Sequence, residues 1–212
     1  MGLYSAHVLP RCLAWAMSGK DFMRLREDAL SSAAGSVLEI GFGAGLNLPH
    51  YPSSVSELHA LEPARVNRKL AGHRVAASHF PVRWIEQVAE RVPLEEDSVD
   101  CVTSTWTLCT VEDPDTVLSE VRRVLRPGGR LIFLEHGLSP RVKTARWQRR
   151  LNGIQRRLAG GCNLDRDITH VLAEAGFSVG ELSHPPLKGP RVLTYLYQGV
   201  ATPMVGQQSP PG

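Results

Sequence analysis

The stretch SVLEIGFGAGLNLP, Ser36 to Pro49, runs a short apolar strand straight into three glycines at alternating positions. Val37, Leu38 and Ile40 are the residue types of a strand buried on both faces. Gly41, Gly43 and Gly45 follow at once, where a backbone has to turn sharply, meet a ligand closely and let the next segment begin. Their spacing separates two kinds of ligand. A dinucleotide loop reads G-x-G-x-x-G, with the third glycine packed under a pyrophosphate. Counted from Gly41, that place holds Leu46, and the third glycine comes one residue early. Glu39 would repel a pyrophosphate and suits a ligand that carries an ammonium group.

Outward from this stretch, short β-branched runs alternate with helix-period segments. The alternation predicts an α/β fold, a Rossmann-like, mostly parallel sheet of seven strands with helices on both faces. Predicted strands cover 37–40, 58–61, 82–85, 99–104, 130–134, 179–182 and 193–200, and predicted helices cover 64–77, 115–125 and 166–175. In RPGG, Pro127 and Gly128 stop a helix and turn the chain. Residues 1–35 read as a short N-terminal helical cap with Leu9, Leu13 and Ala16 on one face. Residues 36–201 form the main domain, and the Pro/Gly/Gln-rich 202–212 are expected to be disordered.

The chain has 212 residues, 42% of them hydrophobic, enough for one substantial core. Its 24 basic and 21 acidic residues leave a formal charge of +3, too balanced to announce a nucleic-acid partner. Cys12, Cys101, Cys109 and Cys162 are scattered without a CxxC pair, so reduced thiols, no metal and a cytoplasmic location are expected. Pro10 and Arg11 interrupt the one apolar run near the N-terminus, which excludes a membrane span there. RWQRRLNGIQRRLAG sets Trp147, Leu151, Ile154 and Leu158 on one stripe with arginines elsewhere. A solvated basic face is the plain reading of this 141–158 helix; contact with a membrane surface is the alternative.

Glu62 in LHALEP lies 23 residues after Glu39, where an α/β cofactor domain places a carboxylate for two ribose hydroxyls. Together with this acid, E-x-G-x-G-x-G resembles the nucleotide loop of the class I S-adenosylmethionine (SAM) methyltransferases. QVAERVPLEEDSVDCVTSTWTLCTV and LSEVRRVLRPGGRLIFLEHG are similar to two further motifs of that superfamily, in the proper order. The resemblance implies SAM as cofactor, with Glu39, Gly41, Gly43, Gly45, Glu62, Ala89 and Glu90 around it. Val88 departs from the family pattern, in which an Asp accepts the adenine amino hydrogen. Asp100 reads as structural.

TLCTV, LEHG and GGCNLDRD, with GAGLNLPHYP and the N-terminal YSAHVLPRCLAWAM, resemble the methyltransferase-like thiol S-methyltransferases of animals. The quinone-biosynthesis C-methyltransferases share the core motifs and match less well at the flanks. Members of the animal branch carry an N-terminal membrane anchor, which this chain lacks, so a soluble relative is expected. The resemblance implies direct methyl transfer to a small acceptor such as a thiol, with C- or O-methylation of a quinone or phenol as the alternative.

Residues at the carboxyl ends of strands are the candidates to border the acceptor. They are Trp106 and Thr107 after the fourth strand and His136 after the fifth. His136 either handles a proton or orients its loop through an ordinary hydrogen bond. Cys109 reads as a small buried hydrophobe rather than a nucleophile. Asn163 either touches substrate or, with Asp165, serves as a helix N-cap. Tyr4 and His7 reach the site only if the cap folds over it. An NAD-type oxidoreductase is opposed by Leu46 and Glu39. A non-enzymatic SAM- or nucleic-acid-binding module has only the basic 141–157 segment in its favour. STWTLC stands where a base-methylating enzyme carries N-P-P-Y or D-P-P-Y.

Overall fold

The computed structural model describes residues 8–204, so Tyr4, His7 and 205–212 lie outside it. Its centre is a seven-stranded sheet in the order β3-β2-β1-β4-β5-β7-β6. The strands are β1 (Gly35–Ile40), β2 (Val55–Leu61), β3 (Val82–Ile85), β4 (Val99–Thr105), β5 (Leu125–His136), β6 (Phe177–Ser183) and β7 (Leu196–Pro203). All neighbours pair in parallel except β7, which runs antiparallel to both β5 and β6. From β1 the chain first builds outward through β2 and β3, then returns to place β4 on the other side of β1. The strand order reverses between those two, and their carboxyl ends open a crevice there.

Alternate side chains of each strand go to opposite faces, and both faces are covered. Leu38, Ile40, Val102, Leu131 and Phe133 pack against Val117, Leu118 and Val121 of α4 (Pro114–Val124) and Ile168 and Leu172 of α6 (Ile168–Glu174). On the other face Val37, Leu58, Cys101 and Ile132 meet Leu30 of α2 (Lys20–Leu30) and Ala71 of α3 (Arg65–Ala76). Each fully buried leucine or phenylalanine here contributes about 1.5–3 kcal/mol. Helix α4 begins where Asp113 accepts the Thr116 N–H at 3.1 Å and Pro114 occupies the first helical position.

Several boundaries differ from the reading of the sequence. Helix α4 ends at Val124, before RPGG: Leu125 already pairs with Val99, the chain turns at Gly128 (φ 80°), and the ladder resumes at Arg130 beside Cys101. Strand β7 continues to Pro203, two residues into the stretch expected to be disordered, because Thr202 and Pro203 pair with Ser178 and Phe177. In α1 (Leu9–Ala16) Leu9 and Leu13 turn inward with Met17 just beyond, while Ala16 is exposed. Helix α5 (Val142–Leu158) rests on the domain through Ala145 and Gln148 and presents Trp147, Ile154 and Leu158 to solvent at 53%, 60% and 62% exposure. Its apolar stripe therefore faces away from the core. Among the described residues no helix is long and apolar enough to cross a membrane.

Asp100 has the structural place expected of it, accepting from the Ser36 N–H at 2.8 Å and from Arg126 at 2.6 Å. A tighter constraint sits in β7. A Cβ on Gly199 would lie 2.2 Å from the Glu181 carbonyl oxygen and 2.8 Å from Phe133 Cζ, whereas one on Gly180 would meet nothing closer than 3.9 Å. Gly199→Ala should therefore destabilise the chain by about 3 kcal/mol, seen as a lower urea midpoint, with Gly180→Ala close to wild type in the same titration.

Candidate active site

The glycine lip emerges from β1 directly over the crevice. Gly41, Gly43 and Gly45 have φ of 70°, 55° and 71°, in the left-handed region that a side chain disfavours. At Gly41 space is limiting as well, since a Cβ would fall 2.1 Å from Thr107 Oγ1. Glu62, just past the end of β2, holds this lip: one carboxylate oxygen accepts the Gly43 N–H at 2.9 Å and the other accepts the Ala64 N–H at 2.8 Å. The acid predicted from spacing thus joins the loops after β1 and β2.

Glu39 lies beneath the lip, 1% exposed, with its acceptors engaged inside the protein. Asn47 Nδ2 donates to one oxygen at 2.8 Å and the Tyr51 hydroxyl to the other at 2.8 Å. Arg26, from α2, donates to Asn47 Oδ1 at 2.6 Å and to Thr105 Oγ1 at 3.1 Å, and its guanidinium stacks 4.7 Å over the Trp106 ring. Burial lowers Arg26 to about 10 and raises Glu39 to about 7, the latter against the pull of Tyr51, Arg26 and Asn47. Arg26 Nε and Trp106 Nε1, in residues that border the cavity of this site, are buried without a hydrogen-bond partner within the chain, as is Trp84 Nε1 in β3.

The loop after β4 winds around a second buried acid. Glu135, 0% exposed, accepts the N–H groups of Thr107, Leu108 and Cys109 at 3.1 Å each and the Ser104 hydroxyl at 2.6 Å. Burial raises its pKa, and those four donors oppose the rise. Entering this wrap forces Trp106 to φ 53°, a costly conformation for an aromatic residue. The wrap also delivers Cys109 to a point where its sulfur is 3.7 Å from Cys162 Sγ, and Cys162 Sγ is 3.6 Å from His136 Nδ1. Cys109, with its thiol against Cys162 and buried beside Glu135, is pushed well up; Cys162 is pulled down by Cys109 and His136. No spacing in the chain suggested this cluster.

Two adjoining cavities result. The larger, about 550 Å³, runs from Glu62 and the Val88–Ala89–Glu90 backbone to His136, Cys109 and Cys162. The smaller, about 290 Å³, is bordered by Arg26, Glu39, Gly43 and Thr105. Both touch Gly41, Trp106 and Thr107, and both are roofed by Leu13 and Met17 from the N-terminal helices. Of the predicted site residues, Asn163 stands apart. Its Nδ2 donates to the carbonyls of Cys109 and Gly161 at 3.0 Å, tying the two cysteine loops together. The helix cap foreseen at Asn163 or Asp165 belongs to Asp167, which accepts the His170 N–H. Tyr4 falls outside the described residues. Asn47, Tyr51, Glu135 and Cys162 lie inside stretches quoted for their family resemblance but were given no role there, and Arg26 lies in none of those stretches, because residue type and spacing do not reveal which buried polar groups meet.

The raised pKa of Glu39 has a definite sign in stability. Between the ordinary value of 4.5 and about 7 the folded chain keeps a proton that the unfolded chain releases. The contribution of this residue is therefore highest below pH 4.5 and falls as pH rises through 7. The total loss is ~3 kcal/mol. Relative to wild type, Glu39→Gln should gain most of that between about pH 5 and pH 8; urea midpoints of both proteins at the two pH values measure it.

A methyltransferase domain model matches residues 38–133. Thiol S-methyltransferase TMT1A of Homo sapiens is 33% identical over 83% of this chain and 74% of its own length. The ubiquinone/menaquinone biosynthesis C-methyltransferase UbiE of Hahella chejuensis is 33% identical over 49% of this chain and 43% of its own. A crystal structure from Thermotoga maritima, described as a SAM-dependent methyltransferase and possible histamine N-methyltransferase, superposes with a TM-score of 0.65 at 20% identity, covering 93% of this chain and 99% of that one. The cavity fits the cofactor these relatives imply: an acid with acceptor capacity left at the end of β2, an apolar wall at Leu61 and Ala89, and a lip whose glycines carry no side chain to obstruct a close approach. The chain belongs to the SAM-dependent methyltransferase family, among relatives that include the thiol S-methyltransferases.

Proposed function

We propose that this protein methylates the sulfur of a small, apolar thiol bound at the His136 end of the larger cavity. The observation that carries the reading is the meeting of the two cavities at Gly41, Trp106 and Thr107, which leaves room for a cofactor and an acceptor in contact. Glu62 would take the ribose hydroxyls, and Val88 to Glu90 would border the adenine. Gly41, Gly43 and Arg26, with Glu39 behind them, would hold the amino-acid portion. Bound SAM supplies a methyl group already activated as a sulfonium.

The protein's part is then orientation and exclusion of water, the largest effects available to a reaction whose electrophile arrives activated. Leu13, Met17 and Phe22 close the acceptor end with apolar surface, which suits an apolar acceptor. A free thiol has a pKa of about 8.5 and reacts as thiolate, so a group that removes its proton is needed nearby. His136 is the imidazole among the residues of that end, and Trp106 and Thr107 form its inner wall. Trp147, Ile154 and Leu158, exposed among the arginines of α5, suit contact with an anionic membrane surface from which an apolar acceptor is drawn.

Radiolabelled methyl transfer from SAM to panels of alkyl and aryl thiols, phenols and quinols tests the reading: turnover on thiols is expected, and turnover on quinols alone would overturn it. By calorimetry Glu62→Ala should weaken SAM binding ~10–100-fold, the loss of one or two hydrogen bonds to a charged acceptor. For α5, sedimentation with anionic vesicles should decrease in a Trp147→Ser, Ile154→Ser double variant and remain unchanged with neutral vesicles.

A further inference from the structure

The structure assigns a metal site to Cys109 Sγ, Cys162 Sγ and His136 Nδ1: three ligands for a thiophilic divalent ion, zinc in the first place, with a fourth position open to the acceptor end of the cavity. Among the described residues these three ligand atoms lie within 4.8 Å of one another. Two of the three edges between the ligand atoms match a tetrahedral site. Zn–S bonds of about 2.3 Å and Zn–N bonds of about 2.0 Å at tetrahedral angles put the sulfurs about 3.8 Å apart and sulfur and nitrogen about 3.5 Å apart. Here the separations are 3.7 Å and 3.6 Å. Two thiolates, whose protons leave to solvent as the ion binds, and a neutral imidazole form the donor set that selects zinc over the hard cations magnesium and calcium.

Both sulfurs are held in place before any ion arrives. Glu135 fixes the Cys109 backbone N–H at 3.1 Å. Asn163 bonds the Cys109 carbonyl oxygen through its own N–H at 2.8 Å and its side-chain amide at 3.0 Å, clamping the loop that carries Cys162. Arg166 donates to the carbonyls of Leu108 and Val111 on either side of Cys109. Such supporting bonds are what orient ligands in metal sites. Gly161 has φ 96°, and a Cβ there would fall 3.0 Å from the Thr110 carbonyl oxygen, so the second loop takes this path only with a glycine. The three ligands also border the 550 Å³ cavity, so a fourth ligand can enter from it.

A site with three protein ligands and one open position is the arrangement of catalytic rather than structural zinc. Resting on the reading of the acceptor as a thiol, the fourth position takes its sulfur: the thiol displaces a bound water, a metal–sulfur bond forms, and the thiol proton leaves to solvent. A coordinated thiol is deprotonated outright, so His136 would act on the acceptor proton through the metal, as ligand and not as base.

The test uses the full chain, reduced with a phosphine so that no competing thiol is present. Protein incubated with zinc or cobalt(II) and desalted should retain stoichiometric metal, and the cobalt form should show intense thiolate-to-cobalt charge-transfer absorption. Cys109→Ala, Cys162→Ala and His136→Ala should each weaken retention at least ~100-fold, and Asn163→Ala ~10–100-fold as a positioning residue. Adding an alkane thiol should shift the cobalt bands of wild type. Failure of the folded wild type to retain either ion, or equal retention by both cysteine variants, would overturn the site. Retention without a thiol-induced shift would overturn the acceptor position. SAM binding, followed by calorimetry on the same samples, reports whether each variant is folded and keeps failure of the metal site distinct from failure of the methyltransferase reading.

Discussion

The arrangement of the acceptor side depends on one buried carboxylate. Glu135 is buried from solvent, and an isolated charge there would cost several kcal/mol. Four donors from the end of β4 and its loop offset that cost, and meeting them dictates the shape of the loop. Trp106 must take a left-handed conformation at the entry, and Cys109 must point toward the neighbouring loop. Chemistry at this end therefore follows from a charge-satisfaction problem solved in the backbone.

A parallel solution organises the cofactor side. Glu62 binds the amides of the lip and of the next helix entrance, and Glu39, Asn47, Tyr51 and Arg26 fill the space beneath it. Arg26 links the two halves, since it reaches Thr105 at the end of β4 and covers the Trp106 ring. A desolvated contact of this cation–π kind is worth about 2 kcal/mol. Helix α2 is therefore both a layer of the core, through Leu25, Ala29 and Leu30, and the carrier of a group inside the cavity.

Much of the fold was legible because it rests on local pattern. Strands β1 to β5 fall where the β-branched runs place them, with α3 after β2 and α4 after β4 at the helical period, and the lip is written in three glycines whose φ values only glycine adopts readily. Glu62 could be found by counting, since a βαβ unit places the end of its second strand at a nearly constant distance from the first. Boundaries were less legible. The end of α4 and the length of β7 were set by ladder partners far along the chain, Val99 in one case and Phe177 and Ser178 in the other. The outward face of α5 was decided by which side found a surface to rest on, Ala145 and Gln148 rather than the apolar stripe.

By itself the sequence determined the α/β class, the glycine lip, the acid after β2 and the family, because each is a matter of residue type at short, regular intervals. Only the tertiary structure decided that Cys109, His136 and Cys162 meet, that Arg26 borders the cavity, and that Asn163 ties the two cysteine loops together. The physical reason is separation: the cysteines stand 53 residues apart and hydrogen bonds to Glu135 and Asn163 bring them together. Such contacts exist only after the sheet has placed β4 beside β5.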